Sequence, residues 1–335
     1  MHSEIRNSNC LASWVRACFG MKPRILVIRG GAIGDFVLTL PAIRLLRENF
    51  PQAHLEILGY KHIVALAEGR FYADATRSIE YGGLSRFFVP DAELPEDLVE
   101  YFVGFQQIVS YLYDPDRFFE ENVRRAGVRY YLHGSPKLND SAHAVQQLAQ
   151  PLESLALYLE EKAPVLFPSE ADKEFAAEYL GRAFPGRAGP LVALHPGSGG
   201  ERKNWPVEKW MVLGETLFRL APAARVLLVG GEADHAQIGH LRAAWKERNV
   251  CMAVDVPLPE LAAILQRARL ILGHDSGISH IAAAAGAPSL LLFGPTDPDI
   301  WAPLLGDVRI VRAPGNDLGM LSVESVSLVL AEVLG

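Results

Sequence analysis

The sequence predicts an α/β protein with two domains, and three observations support this fold class. The chain has 335 residues, which exceeds the roughly 100 to 200 residues that are usual for one domain. Hydrophobic residues make up 50% of it, enough for a core in each domain. Short apolar runs alternate with helical segments, a pattern that predicts parallel strands joined by right-handed helical crossovers.

The first domain is predicted to contain an open sheet. Its strands are three apolar runs, at residues 24–28, 55–58 and 107–112. The first strand leads through a glycine turn, from Gly30 to Asp35, into a helix that we expect to end near Pro51. The stretch 72–104 shows no clear pattern.

A proline-rich segment at residues 163–168 marks the predicted linker between the domains. A helix is predicted before it, over residues 141–162. We therefore assign residues 21–163 to the N-terminal domain and 164–335 to the C-terminal domain. The strands predicted in the C-terminal domain are four apolar runs, at residues 191–194, 226–229, 270–272 and 289–293.

The polar residues of the second domain collect in the loops that follow these strands. The loops cover residues 195–205, 230–234, 273–280 and 293–298. Loops after parallel strands lie along one edge of the sheet, where ligands bind. The first and third are glycine-rich and each opens a helix, whose first backbone N–H groups are unpaired and attract phosphate oxygens. With Lys203 just beyond the first glycine turn, the expected ligand is a nucleotide diphosphate.

The first and second loops supply candidate donor contacts. Lys203, Ser198 and Gly199 lie where a glycine turn and a lysine bind phosphates. The alternative for Lys203 is a solvated surface lysine. Glu232 is placed like the acid that accepts hydrogen bonds from ribose hydroxyls in nucleotide folds, and its alternative is an exposed turn glutamate.

The third loop supplies a second group of candidates. Asp275 is either a ligand contact or the N-cap of the following helix. That helix is rich in small residues, which permits a ligand to approach the amides of Ser276 and Gly277. His280, one turn further on, is either a ligand contact or a core histidine.

Asp35 is the candidate general base. Its turn follows the first strand of the first domain, and a loop carboxylate at such a position can reach a substrate proton. The alternative is a carboxylate that caps the helix at Phe36.

Charge and cysteine content exclude several classes of function. The 32 basic and 39 acidic residues give a net charge of −7, so a general nucleic-acid binder is not expected. Cys10, Cys18 and Cys251 have no metal-ligand spacing and no even disulfide set, which suits a reducing cytoplasm. The two Asp-Pro-Asp triplets, 114–116 and 297–299, are predicted to be turns, and no required metal site is expected.

No apolar stretch reaches the roughly 18 to 20 residues of a membrane span, so a soluble or peripheral protein is expected in the cytoplasm. Residues 1–20 are too short and too interrupted for a secretory signal. Two interpretations stand for them. Either residues 1–20 are a mis-assigned start, since Met21 closely precedes the first strand, or they form an amphipathic helix on the cytoplasmic face of the inner membrane.

Three stretches, at residues 24–58, 195–210 and 273–303, together resemble glycosyltransferase family 9, the ADP-heptose:lipopolysaccharide heptosyltransferases. Family motifs occur in the expected order: GD-x-x-x-TLP at residues 34–41 and D-S-G-x-x-H-x-A-A-A at 275–284. The resemblance implies the GT-B arrangement of two facing Rossmann-like domains with a cleft between them. It places acceptor handling mainly in the first domain and the nucleotide sugar in the second.

The resemblance also implies roles for the matching residues. Asp35 would be the base, Ser198 and Lys203 would contact the donor phosphates, Glu232 the ribose, and Asp275, Ser276, Gly277 and His280 the diphosphate and sugar. The implied donor is an ADP-sugar, with no further cofactor, and the acceptor an anionic glycolipid or glycan. The chain departs from many relatives at residues 313–323, which lack a cysteine-bearing segment, and at Gly30-Gly31. Acceptor identity is therefore less defined than donor class.

The chemistry agrees with this assignment. Hydrolysis of a glycosidic bond usually takes two carboxylates, one of which protonates the leaving group. A nucleotide diphosphate leaves without protonation if its charge is held, so Asp35, Lys203 and helix amides suffice for an inverting displacement. Acceptor contacts are expected at Gly31, Arg124 and Arg125, although a solvated helix face is the slightly favoured interpretation of the basic residues.

Two other classes of function stay open. An NAD-dependent oxidoreductase is suggested by Gly30, Gly31, Gly34 and Glu56, which imitate a dinucleotide turn, but no G-x-G-x-x-G is present. The other is a non-catalytic protein that binds a sugar nucleotide. An epimerase is disfavoured by the family motifs.

Overall fold

The computed structural model describes residues 22–305 and 307–335, which fold into two compact units. The N-terminal unit contains the described residues up to 31 together with residues 39–139 and 145–161. The C-terminal unit contains Ala32–Leu38, Asp140–Ala144 and Lys162–Gly335. The predicted extension at residues 1–20 lies outside the described residues.

The N-terminal unit is built on a five-stranded parallel sheet. Its strands are β1 (Arg24–Arg29), β2 (His54–Gly59), β3 (Ala75–Ser78), β4 (Gln107–Ser110) and β5 (Tyr131–His133). Their order across the sheet is β3-β2-β1-β4-β5. Residues 25–28 of the central strand β1 are buried, because a parallel sheet is covered on both faces.

Helices and single turns connect these strands. The helices are α1 (Ile33–Asn49), α2 (Lys61–Val64), α3 (Glu96–Val103), α4 (Phe118–Arg125) and α5 (Ala144–Ala149), with 3₁₀ segments at Gly82–Phe88 and Gln150–Leu155. The first residues of α1 group with the C-terminal unit.

The helix predicted over residues 141–162 was wrong in its extent, because α5 ends at Ala149. Pro151 is the physical reason. Proline has no N–H to donate, and its ring clashes with the carbonyl four residues earlier. A 3₁₀ segment with Pro151 in its first turn follows instead, and the chain leaves it at Ala156 in a left-handed conformation.

The C-terminal unit is built on a six-stranded parallel sheet. Its strands are β6 (Leu191–Leu194), β7 (Arg225–Gly230), β8 (Val250–Val254), β9 (Leu270–His274), β10 (Ser289–Phe293) and β11 (Val308–Arg312), in the order β11-β10-β9-β6-β7-β8. Its helices are α6 (Glu170–Ala183), α7 (Val207–Leu220), α8 (His235–Ala244), α9 (Leu258–Leu265), α10 (Gly277–Ala284), α11 (Pro298–Trp301) and α12 (Val323–Leu334). Short 3₁₀ turns lie at Glu201–Lys203, Glu232–Asp234, Pro314–Asn316 and Leu318–Met320.

The direction of winding reverses between β6 and β9, which are neighbours at the centre of this sheet. From β6 the chain continues outward to β7 and β8, and from β9 it continues the other way to β10 and β11. Loops that leave two neighbouring strands in opposite directions open a crevice between them, which is where open α/β sheets bind ligands. The loop after β6 and the loop after β9 are the two glycine-rich loops.

Candidate functional site

The two glycine-rich loops lie side by side at the reversal point of the second sheet. The backbone N–H of His195, directly after β6, donates to the carbonyl of Leu272 in β9 over 2.8 Å. This bond fixes the start of one loop beside the start of the other. The predicted candidates of both loops are therefore brought together.

An ion pair joins the first loop to the third. The ammonium of Lys203 lies 2.7 Å from Oδ2 of Asp275, and the hydroxyl of Thr296 donates to the same oxygen over 2.8 Å. Thr296 follows β10, so residues from the loops after three neighbouring strands, β6, β9 and β10, meet at one carboxylate. Lys203 keeps 35% of its side chain exposed, which leaves its ammonium accessible to a ligand.

Asp275 is held in its ionised form. Burial by itself raises the pKa of this carboxyl, but His280 and Lys203 outweigh burial and hold the pKa well below its usual range. Nε2 of His280 lies 3.7 Å from Oδ1 of Asp275. A buried carboxylate with a cation on one side and an imidazole on the other is a fixed electrostatic element of the site.

Asp275 is not the N-cap of α10, which was the alternative that the sequence left open. Ser276 fills that position, since its hydroxyl accepts from the backbone N–H of Ser279 over 3.3 Å. The first amides of the helix, from Gly277 on, have no intrahelical acceptor. His280 is 4% exposed, and within the described part of the chain its Nδ1 has no hydrogen-bond partner.

Asp35 lies in the first turn of α1, where its carboxylate accepts from the backbone N–H of Ala32 over 2.9 Å. This is the bond that an acidic residue makes in a capping box. The start of α1 packs against the start of α10: a Cβ on Gly277 would stand 2.6 Å from Cβ of Ile33. A Cβ on Gly34 would likewise stand 3.1 Å from the ring of His280.

These residues line one cavity of about 700 Å³ in the C-terminal unit. Among the predicted site residues, the lining includes Asp35, Gly199, Lys203, Asp275, Ser276, Gly277 and His280. Thr296 and Trp301 also line it, and sequence reasoning did not single them out. The signal for Thr296 was the fourth predicted loop, at residues 293–298, in which it is a candidate oxygen ligand; Trp301 lies beyond that loop.

Ser198 and Glu232 do not line this cavity. The hydroxyl of Ser198 lies 2.7 Å from the amide oxygen of Asn204 and 2.9 Å from the carbonyl of Gly200, so it braces its own loop. Glu232 is exposed in the turn after β7. In that turn Asp234 is buried, and its carboxylate accepts from the N–H of Gly231 over 2.9 Å.

The predicted acceptor residues lie in the N-terminal unit. Gly31 is exposed and has φ of 97°, a left-handed conformation that glycine adopts without strain. Arg124 lies 2.9 Å from the carboxylate of Glu120, and Arg125 donates to the carbonyl of Ala92. Both guanidinium groups thus have intramolecular partners.

Two buried histidines were missed as part of this site. Nε2 of His274 accepts from the N–H of Trp205 over 2.9 Å, and its Nδ1 lies 3.2 Å from the carbonyl of Gly197. Burial lowers the pKa of His274 to about 3. His195 is also buried, and burial lowers its pKa as well. The sequence signal for His274 was its place in the third predicted loop, at residues 273–280.

The two Asp-Pro-Asp triplets act at helix starts. Asp114 accepts from the N–H groups of Phe119 and Glu120 at the start of α4, and Asp297 is the N-cap of α11. Across residues 22–305 and 307–335, no three His, Cys, Asp or Glu side chains form a group that could hold a metal ion. In the same residues no helix has the length and apolar character needed to cross a bilayer.

Glu56, which imitates the distal acid of a dinucleotide site, is buried and already bonded. It accepts from the hydroxyl of Tyr101 over 2.7 Å and pairs with Arg24 over 3.2 Å. A ribose contact requires free carboxylate oxygens. The geometry therefore argues against a dinucleotide at this strand.

Known proteins are similar to this chain in sequence and in fold. The family model of glycosyltransferase family 9 (heptosyltransferase) matches residues 121–325. Lipopolysaccharide heptosyltransferase 1 of Escherichia coli O18:K1:H7 is 27% identical over 164 residues, and this match spans about half of each protein, 49% and 49%. Lipopolysaccharide heptosyltransferase 1 of Pseudomonas aeruginosa is 26% identical over 294 residues, 82% of this chain and 79% of that protein.

A solved structure shares the fold. The structure of ADP-heptose LPS heptosyltransferase II from E. coli superposes with a TM-score of 0.75 at 20% sequence identity, covering 94% of this chain and 98% of that one. This likeness confirms the predicted fold class, the GT-B fold with two Rossmann-like α/β domains.

Proposed function

Because this chain belongs to glycosyltransferase family 9, the heptosyltransferase family, we propose that it moves a heptose or a related sugar from an ADP-sugar donor to a glycan acceptor of the lipopolysaccharide core. The reaction we propose is an inverting displacement with Asp35 as the base. Two relatives support this proposal, because both are lipopolysaccharide heptosyltransferases.

One observation carries the proposal: Asp35 and the Lys203–Asp275 ion pair line the same cavity. A glycosyl transfer needs a base for the acceptor hydroxyl and a positive site for the departing diphosphate. The cavity offers one of each, and its volume of about 700 Å³ lies within the range of small-molecule sites.

The donor side of the proposal uses Lys203 and the amides at the start of α10. The ammonium of Lys203 and the helix amides, with Gly199 and Ser198 in the first loop, would hold the negative charge of the leaving diphosphate. Asp275 and His280 keep Lys203 in place and face the sugar. Glu232 would accept hydrogen bonds from the ribose. This reaction requires no cofactor or metal from the protein.

The acceptor side uses Asp35. In the displacement its carboxylate takes the proton of an acceptor sugar hydroxyl while the hydroxyl oxygen bonds to the anomeric carbon and the bond to the diphosphate breaks. The bond from Ala32 N–H holds the carboxylate in place. We assign acceptor binding to the N-terminal unit, with Gly31, Arg124 and Arg125 as contacts, and we assign the protein to the cytoplasm, at the face of the inner membrane where lipid-linked acceptors lie.

Calorimetric titration with ADP, UDP, GDP and NAD tests the donor assignment. We expect ADP to bind the wild-type protein, and Lys203→Ala to weaken binding about tenfold or more, since a hydrogen bond to a charged group contributes about 1.5 to 3 kcal/mol. Lys173→Ala is the matched control, because Lys173 pairs with Glu170 over the same 2.7 Å but lies on α6. Its ADP affinity should equal that of the wild type.

The other outcomes separate the alternatives. Preference for UDP or GDP would retain a transferase and change the donor, whereas binding of NAD alone would overturn the proposal. A transfer assay with ADP-heptose and a core acceptor distinguishes an enzyme from a non-catalytic binding protein. The anomeric configuration of the product, read by NMR, tests inversion.

A further inference from the structure

The buried imidazole of His274 ties together the two ends of the loop that carries Lys203. It is 0% exposed. Its Nε2 accepts from the N–H of Trp205, which ends the loop, and its Nδ1 lies 3.2 Å from the carbonyl of Gly197 near the loop's start. The ring of Trp210 also packs against it in a T-shaped arrangement, with ring centroids 5.3 Å apart.

Between these two ends the loop is held mainly by itself. Ser198 bonds to Asn204 and Gly200, and the N–H of Lys203 donates to the carbonyl of Gly200. A Cβ on Gly199 or Gly200 would meet no atom within 4 Å. The loop is thus an internally bonded unit, and the imidazole fastens both of its ends to the sheet, beside the Lys203–Asp275 ion pair.

His274 directly precedes Asp275 in the chain and ends β9. The same strand end therefore supplies both the fastening for the loop and the carboxylate that pairs with Lys203. The carbonyl of His274 also accepts from the hydroxyl of Ser279 in α10 over 2.6 Å. This residue thus touches all three parts of the site: the first loop, the strand end and the helix start.

Only the neutral imidazole with its proton on Nδ1 makes both contacts. Nε2 faces an N–H and must be unprotonated, while Nδ1 faces a carbonyl and must donate. Burial keeps the ring neutral, since it lowers the pKa to about 3. The fastening is therefore independent of pH across the neutral range.

We propose that His274 is a positioning residue for the donor: it fixes the loop of residues 197–205 so that Lys203 meets the diphosphate of the nucleotide sugar. This inference rests on the proposed function, because it assigns the loop to diphosphate binding. It does not place His274 in contact with the substrate.

The test compares His274→Leu and His274→Gln with the wild type by calorimetric titration with ADP and with inorganic pyrophosphate. Leucine cannot accept the N–H of Trp205, so we expect ADP affinity to fall about tenfold and KM for the donor to rise with kcat changed far less. Glutamine offers an oxygen to that N–H and should restore most of the affinity. Leu241→Ala, a fully buried substitution in α8 of the same unit, controls for general destabilisation and should leave the affinity unchanged.

A double-mutant cycle identifies the route of the effect. If His274 acts through Lys203, His274→Leu should lower ADP affinity far less in a Lys203→Ala background than in the wild type. Full additivity of the two losses would overturn the proposal, and so would equal affinity of His274→Leu and the wild type.

Two further readouts keep the proposal falsifiable if His274→Leu does not fold. ¹⁵N NMR of the wild-type His274 imidazole should show a protonated Nδ1 and an unprotonated Nε2. Hydrogen exchange at the backbone N–H of Trp205 should be slow. A protonated Nε2 would overturn the inference while leaving the transferase assignment intact. A wild-type protein that binds ADP, UDP, GDP and pyrophosphate equally poorly would overturn the proposed function and this inference together.

Discussion

Gly277 lies directly against Ile33. A Cβ added to Gly277 would stand 2.6 Å from Cβ of Ile33 and 3.2 Å from the backbone nitrogen of Gly34. The start of α10, which carries the proposed diphosphate site, and the start of α1, which carries the proposed base, are therefore in contact through backbone. Nothing larger than hydrogen fits between them without displacing one of the two helix starts.

We predict that Gly277→Ala destabilises the protein by about 1 to 3 kcal/mol, the usual cost of overpacking. Transfer activity should fall further than stability alone explains, because Asp35 moves with its turn. Gly239→Ala is the control: Gly239 lies exposed in α8, where an added Cβ meets no atom within 4 Å. It should raise stability by up to about 1 kcal/mol. Equal melting temperatures and turnover of Gly277→Ala and wild type would contradict the packing argument.

We predict that Asp35→Asn lowers turnover at least about a hundredfold, the usual range for loss of a general base. Asparagine keeps an oxygen for the N–H of Ala32, so the melting temperature and ADP affinity should stay near those of the wild type. Asp35→Ala should add a stability loss of about 1 kcal/mol, because it removes the cap as well. Wild-type turnover in Asp35→Asn would exclude the base assignment.

We predict that Asp275→Asn lowers the free energy of unfolding by about 1 to 3 kcal/mol near neutral pH. The folded-state pKa of Asp275 is lowered, so its contribution is present above the unfolded pKa of about 4 and is lost as pH falls through the folded value. Denaturant titrations at several pH values should show the difference shrinking below about pH 4. Asp307→Asn, at an exposed ion pair, should cost less than about 1 kcal/mol. A difference that is constant down to acid pH would contradict this role of the charge.

We predict that His274 makes the protein sensitive to acid. Its pKa in the folded state is about 3, whereas the unfolded value is about 6.5. Between these values the unfolded chain binds a proton that the folded chain does not, so stability falls as pH falls, by about 1.4 kcal/mol per pH unit. The stability difference between wild type and His274→Gln should shrink with that slope. Equal pH dependence of stability in wild type and His274→Gln would contradict this prediction.

The sequence predicted the inner strands of both sheets and none of the edge strands. All predicted strands lie inside a sheet, whereas β3, β5, β8 and β11 are the edges. An inner parallel strand is buried on both faces and appears as a continuous apolar run. The edge strand β11, VRIVR, is partly or fully exposed along its length, so its composition is mixed and the apolar signal is lost.

The sequence predicted those parts of the site whose position depends on chain order and on the residues of the turns. The glycine-rich loops and Lys203 follow apolar runs, and the topology of parallel sheets brings them to one edge. The partners of these residues depended on tertiary contacts. Thr296 shares the carboxylate of Asp275, and His274 fastens the loop, through contacts between residues that end or follow different strands. That Ser276 rather than Asp275 caps α10 is a local alternative that the sequence left open.

The grouping of residues 32–38 with the C-terminal unit has a consequence for chimaeras between relatives. A recombinant that exchanges only residues 164–335 would combine the glycine face of one parent's α10 with the other parent's version of Ile33 and Gly34. Since that contact tolerates no added atom, the short segment must be inherited together with the C-terminal half. To preserve this contact, a crossover design needs breakpoints before residue 32 and after residue 38 in addition to one at the linker.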